Sequence, residues 1–288
     1  MFVREAKKMK IFISVDMEGL AGIVSWIQEQ EDREMLRNAM HQQLEWIIEG
    51  VCASRRNGEV QEITVADSHG FGSNLMYDRI SDMDERISLI NGSPRRQFMM
   101  AGLDNSYDVV FLVGYHAGAG HLLGCMDHTY SSRTVSILRV NGTIMNEATA
   151  NASYAGELGV PIGLVVGDSG LYEELLTEKR MPWVEFVKTK DSYSRKAARF
   201  VRRSELRRET VAKTVKVLES DLKGLPLHRI ECPCVLSVTF TTSAMADTVA
   251  QIPGSVREDG RAVSIQCASA AEMLAGISAF TSLAGTAV

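Results

Sequence analysis

The sequence predicts an α/β fold: a three-layer αβα amino-terminal domain around a mostly parallel sheet, followed by a smaller α/β carboxy-terminal domain. Three observations lead there. Apolar runs of strand length alternate with stretches of helical spacing, and the first unit, a run ending at Val15, a helical stretch over 31–56 and a second run from Glu62, has the strand-helix-strand order that favours parallel strands. These runs are apolar almost throughout, as expected of strands buried on both faces. Near Asp191 the composition shifts towards charge and then to shorter elements, which divides the chain into 1–190 and 191–288.

The elements follow in order. Ile11, Phe12, Ile13 and Val15 make a buried strand that stops at Asp16, Glu18 and Gly19. Met35, Ala39, Leu44, Ile47, Ile48 and Val51 recur at helical spacing, and Asn57-Gly58 closes that helix. Strand two ends at Asp67-Ser68-His69, a short strand covers Ile87 to Ile90, and a short helix around Gln97 to Leu103 leads to the run from Val109 to Tyr115, which ends at His116. The glycine-rich stretch that follows, through His128, is the least regular of the chain, and long irregular loops are often functional.

From Thr134 the pattern alternates on both sides of Asn141-Gly142, a type I′ hairpin signal. A helix of small residues begins after Asn146-Glu147, Pro161 to Val166 is another buried strand, and Glu173 to Lys179 continues as helix. Lys188, Lys190, Arg195 and the arginines up to Arg208 suggest a nucleic-acid patch. The interleaved Glu205, Glu209, Glu219 and Asp221 favour instead the solvated face of a helix over 204–222. Strands at Val235 to Phe240 and Ala262 to Gln266 alternate with helices at 244–251 and 270–283.

Composition narrows the function. With 288 residues, 45% hydrophobic and 23% charged, the chain has the make-up of an ordinary soluble protein. A formal net charge of −5 provides no field for nucleic acid or an anionic membrane, so neither is expected as a partner. Five cysteines, an odd number without zinc-ribbon spacing, suit a reduced cytoplasmic chain, and Cys232-Pro233-Cys234 reads as structural. The charged amino terminus carries no visible export signal, Met9 is an alternative start to Met1, and no apolar run approaches the ~20 residues of a membrane span.

Three strand-like runs end in metal-ligand residue types. In an open α/β sheet such ends converge, because ligands bind outside the carboxyl ends of parallel strands. Asp16, Glu18, His69 and His116, with Glu147 as a fifth donor, therefore form a candidate metal site. Taken singly, each acid is also explained as a strand-ending turn and each histidine as a hydrogen-bonded structural residue; joint placement at strand ends argues for the site. Mixed imidazole and carboxylate donors suit Zn²⁺, Mn²⁺ or Co²⁺ better than Ca²⁺ or Mg²⁺. The carboxylates are numerous enough to bridge two ions, an arrangement suited to hydrolysis. His128 and His121 both qualify as the general acid or base. Gly118 to Gly124 follows a strand like a dinucleotide fingerprint, but its spacing is one residue too long, and Gly167-Asp168-Ser169-Gly170 lacks a Walker lysine.

The set Ser14-Val15-Asp16-Met17-Glu18-Gly19, Asp67-Ser68-His69, Gly114-Tyr115-His116, Met126-Asp127-His128 and Asn146-Glu147 through Asn151-Ala152 resembles the zinc D-aminopeptidase family named for the bacterial dipeptide-transport operon, the DppA-like metallopeptidases. The resemblance covers the chain from about Met9 to the last helix. It implies a two-zinc aminopeptidase acting on short peptides with an amino-terminal D-residue, typically D-alanine. It also implies metal ligands at Asp16, Glu18, His69, His116 and Glu147, with Asp16 as the bridge, and a catalytic histidine at His128 and not His121. A homo-oligomer follows from it too, a decamer of two stacked pentameric rings enclosing the active sites. The family's glycine-rich surroundings of the last glutamate are replaced by Met145 to Thr149. Other readings of the same donors are a dinuclear L-aminopeptidase or phosphoesterase, and a non-catalytic peptide-binding protein.

Overall fold

The computed structural model describes residues 8–287; the charged segment 1–7 lies outside them, while Met9 opens the first strand. In chain order come β1 (Met9–Val15), α1 (Trp26–Glu31), α2 (Arg33–Ala53), β2 (Val60–Asp67), α3 (Tyr77–Ser81), β3 (Ile87–Ile90), β4 (Val109–Tyr115), β5 (Val135–Val140) and β6 (Thr143–Ile144). They are followed by α4 (Glu147–Glu157), β7 (Ile162–Asp168), α5 (Ser169–Tyr172), β8 (Glu185–Ser194), β9 (Ala197–Phe200), α6 (Arg203–Glu219), β10 (Cys234–Phe240), α7 (Ser243–Val249), β11 (Ser255–Arg257), β12 (Ala262–Cys267) and α8 (Ala270–Ala284).

Seven strands form the main sheet in the order β3-β2-β1-β4-β7-β8-β9, parallel except for β9, which returns antiparallel to β8. Alternation along β1 sorts its side chains: Ile11, Ile13 and Val15 pack with α2 and α6, while Phe12 joins α4 and α8 on the other face. A second sheet, β11-β12-β10-β5-β6, is antiparallel. Helix α8 lies between that sheet and α4, so one apolar core spans the gap between the two sheets. The chain leaves β1 for β2 on one side, and later places β4 on the other side of β1. The β1/β4 boundary is thus the switch point at which a crevice opens beyond the strand ends.

The hairpin forms as expected, with Asn141 at φ 49° and Gly142 at φ 80°, the two positive values that a type I′ turn requires. Its strand β5, although it precedes position 191, pairs with β10, β6 pairs with β5 at the sheet edge, and Asp191 itself lies inside β8. The helix expected over 31–56 is α2, whose start is fixed by the Asp32 side chain accepting from Met35 N (2.9 Å); the short α1 ahead of it is not foreseen in the sequence. The expected helix over 97–103 is only a 3₁₀ turn at Phe98–Met100, and that over 173–179 is α5 followed by a wide π-type turn, Glu173–Thr177. Strands β8 and β9 occupy the basic stretch that the sequence leaves unassigned; α6 then starts close to the expected 204. Among the described residues no helix is long and apolar enough to cross a membrane.

Candidate metal centre

The Asp16-Met17-Glu18-Gly19 segment is shaped by close backbone contact. A Cβ on Gly19 would stand 1.8 Å from the Tyr115 carbonyl oxygen, and one on Gly114, at φ +76°, would stand 2.1 Å from the Asp16 carbonyl oxygen. Only glycine permits this approach. Asp16 N donates to Val113 O and Gly19 N to Gly114 O, both at 2.7 Å, so the ends of β1 and β4 are clamped main chain to main chain. Beneath them the Tyr115 hydroxyl is bonded to Ser14 (2.8 Å) and Asn151 (2.9 Å), tying β1, β4 and α4 together.

The five acidic and imidazole side chains predicted from the sequence meet above this clamp, joined by His128. Asp16, Glu18 and His69 form one group and His116, His128 and Glu147 a second, with one donor atom from each residue of a group within 4.8 Å of the others. Asp16 faces both groups: Oδ1 lies 3.2 Å from His69 Nδ1 and Oδ2 lies 3.5 Å from His116 Nε2. Glu18 Oε2 lies 3.1 Å from His69 Nδ1, while its Oε1 is 3.7 Å from His128 Nε2. Glu147, the first residue of α4, sets Oε1 3.4 Å from His116 Nε2 and 3.6 Å from His128 Nε2. Asn146 caps that helix with its side chain on Thr149 N (2.8 Å), so the Met145–Thr149 stretch forms a capped helix start that holds Glu147 over the crevice.

The hydrogen-bond pattern tests whether these residues fit a metal. His116 Nδ1 faces the Ala117 carbonyl (2.9 Å) and His128 Nδ1 the Met126 carbonyl (3.0 Å). A carbonyl only accepts, so each Nδ1 carries hydrogen and donates, and each Nε2 directs a lone pair at carboxylates. That arrangement requires a proton or a cation between the groups. Asp16 Oδ2, Glu18 Oε2 and His116 Nε2 are buried with no hydrogen-bond partner, which is unusual for polar atoms unless a ligand completes them. Behind His69, Glu29 Oε1 lies 3.4 Å from Nε2, the carboxylate support typical of a metal-binding histidine. The donor set fits a borderline divalent ion such as zinc.

Electrostatics point the same way. Burial and the neighbouring Glu18 push Asp16 up to about 8. Burial would raise Glu18 too, but the charge of the neighbouring His69 outweighs it and holds Glu18 well below the usual range. His69 and His116 are pulled down by burial, yet Glu18, Asp16 and Glu29 around the first, and Glu147, Glu18 and Asp16 around the second, carry both well above an ordinary histidine. His128 differs: burial and the charge of His116, stacked on it at 4.2 Å between centroids, hold it below the ordinary value, as a neutral imidazole.

Several neighbours are not legible as site residues in the sequence. Trp26 Nε1 donates to Glu18 Oε1 (2.8 Å) and Tyr130 N to Glu147 Oε1 (2.6 Å). Lys190, taken from the sequence as part of a solvated basic stretch, is completely buried, and its Nζ donates to the carbonyls of Glu18 (2.5 Å), Leu20 (3.2 Å) and Ile23 (2.6 Å). The adjacent Thr189 hydroxyl donates to Gly19 O (2.5 Å), so β8 holds the whole 18–23 loop from beneath. His121, sequence rival of His128, lies off the cavity with Nε2 3.6 Å from Glu173. The cavity over the two groups holds about 450 Å³ and is walled by Trp26, Glu29, Arg33, Phe98, Tyr130 and Arg133 among others.

Known proteins resemble this chain in sequence and in fold. The D-aminopeptidase of Bacillus subtilis (strain 168) is 29% identical over 255 residues, 88% of this chain and 89% of the relative. The solved structure described as Zn-dependent D-aminopeptidase DppA from Bacillus subtilis, a self-compartmentalizing protease, superposes with a TM-score of 0.87 at 27% identity, over 96% of this chain and 98% of that one. The family model described as D-aminopeptidase matches residues 9–279, nearly the full described length. With that match and a cavity lined by histidines and carboxylates, the chain belongs to the D-aminopeptidase family and is a metallo-aminopeptidase.

Proposed function

We propose that the protein is a dinuclear zinc aminopeptidase that removes an amino-terminal D-residue, of the D-alanine type, from short peptides. The observation that carries this reading is the double group of donors whose lone pairs and unpartnered oxygens face one another across Asp16. Asp16, Glu18 and His69 would hold one ion and His116 and Glu147 the other, with Asp16 available to both. Bound there, zinc supplies Lewis acidity towards the scissile carbonyl and acidifies water. The chain's own groups do the rest. Lys190 and Trp26 fix Glu18, Tyr130 N fixes Glu147, and the neutral His128, oriented by the Met126 carbonyl, takes a proton at Nε2 and returns it to the leaving amine.

A second reading of His128 has an observation behind it, since its Nε2 belongs to the same close group as His116 and Glu147 and would serve as a ligand. Metal analysis of His128→Ala separates the two: retained metal with turnover reduced ~10²–10⁴-fold fits an acid/base, whereas loss of metal fits a ligand. The wider test is amino-acid release from matched D- and L-amino-terminal dipeptides by metal-stripped and zinc-restored protein. Release from D-peptides on zinc addition supports the proposal; release from L-peptides alone removes the D-preference; turnover of phosphate esters alone, or binding without product, replaces the aminopeptidase reading.

Assembly is proposed on the same footing. The similarity to a self-compartmentalizing protease supports a homo-oligomer; the form proposed is a decamer of two pentameric rings, with the carboxy-terminal part from 191 onward contributing contacts. Its mass in solution tests this. Five unpaired cysteines support a reducing, cytoplasmic setting.

A further inference from the structure

We propose that Arg133 is a specificity-determining residue that receives the free terminal carboxylate of a short peptide, so that the site selects small zwitterionic peptides over peptides blocked at the carboxyl end; this rests on the aminopeptidase reading above.

Asp16, Glu18, Glu29 and Glu147 line the cavity, and since bound ions would offset Asp16, Glu18 and Glu147, Glu29 is left to attract a peptide's ammonium end and repel its carboxylate. A short peptide brings both charges into the same 450 Å³, so its carboxylate needs a cation on the wall. Two cations line the cavity, Arg33 and Arg133. Arg33 is engaged, donating Nη2 to the carbonyl (3.1 Å) and hydroxyl (3.0 Å) of Ser73. Arg195, close by, is engaged as well: its Nε donates to Asp127 Oδ1 (3.1 Å) and its guanidinium lies over the Trp26 ring.

Arg133 differs in both respects that matter for recognition. Its guanidinium makes no hydrogen bond or ion pair among the described residues, leaving the donors of its planar fork available. Its main chain is nonetheless fixed, because the Thr241 hydroxyl donates to the Arg133 carbonyl (2.8 Å) and Thr241 N donates to the Thr134 carbonyl (2.9 Å). Arg133 also follows His128 by five residues in the segment that contributes Tyr130 N to Glu147, so it is mounted on the wall that carries the catalytic groups. A guanidinium pairs with a carboxylate in bidentate fashion, which an ammonium does not reproduce.

The experiment compares a D-alanyl dipeptide with its carboxyl-terminal amide as substrates of zinc-loaded wild type, Arg133→Ala and Arg133→Lys. Expected for Arg133→Ala is a KM raised about 10- to 100-fold for the free acid, with kcat little changed and the amide unaffected. Arg133→Lys should recover part of the preference. Equal losses on acid and amide, or an Arg133→Ala protein that keeps the wild-type preference, would overturn the assignment to Arg133. Wild type that hydrolyses both equally also overturns it while leaving the aminopeptidase reading standing; wild type inert towards every peptide overturns both.

Discussion

Two pairs of strand-end carboxylates occupy equivalent positions in the sheet and have opposite fates. Asp67, at the end of β2, accepts from Asn74 N (2.6 Å), Leu75 N (2.7 Å) and Asn74 Nδ2 (3.1 Å). Asp168, at the end of β7, accepts from Leu171 N (2.9 Å), Cys125 N (3.2 Å) and the Ser192 hydroxyl (3.2 Å). Asp16 and Glu18, beyond β1, are equally buried, yet each leaves an oxygen without a donor. Burying a carboxylate costs free energy that Asp67 and Asp168 recover by accepting hydrogen bonds, whereas Asp16 and Glu18 keep their capacity for a cation. Satisfaction of the acid, more than its burial or its position, separates a structural carboxylate from a functional one.

The largest effect should come from Asp16→Ala. Loss of the shared acid is expected to abolish metal retention and lower peptide turnover by about 10³-fold or more, with no drop in the urea midpoint of the stripped protein. A lower midpoint there would put Asp16 in the class of Asp67 and break the comparison. Asp67→Ala should do the reverse, costing about 3 kcal/mol in urea denaturation because three donors lose a charged acceptor, while metal content of the folded fraction is kept. A smaller change is expected from Lys190→Met, which keeps the length of the side chain and removes the three bonds to the 18–23 loop. Chelator competition should then show zinc held about tenfold more weakly, and an unchanged affinity would mean that Thr189 alone suffices to hold the loop.

Much of this was legible in sequence wherever local pattern and tertiary role coincide. A run such as Ile11 to Val15 announces a buried strand, and a polar residue immediately after it has nowhere to go but the crevice, which is why Asp16, Glu18, His69 and His116 stand out. His128 and His121 share one irregular loop with no periodicity to orient either; the family resemblance alone favours His128, and in the fold His121 turns away to Glu173. Strand β8 escaped notice because lysines interrupt its alternation. Lys190 lies inside the molecule for reasons located about 170 positions away, at the carbonyls of Glu18, Leu20 and Ile23, and no window around β8 contains them. The hairpin at Asn141-Gly142 was readable, but its place in the second sheet depends on pairing with β10. The helix over 31–56 was legible from its spacing, whereas α1, which buries no residue, left no periodic signal.

Because Gly19 abuts Tyr115 and Gly114 abuts Asp16 through bare main chain, the spacing between the first acid and the β4 histidine is built into the polypeptide and does not wait for an ion to draw it together. At the bench the expected outcome is that a sample treated with chelator keeps its fold and accepts manganese or cobalt without refolding, which circular dichroism before and after metal removal checks. Exchange of a colourless ion for a coloured or paramagnetic one then becomes a direct way to watch the centre at work.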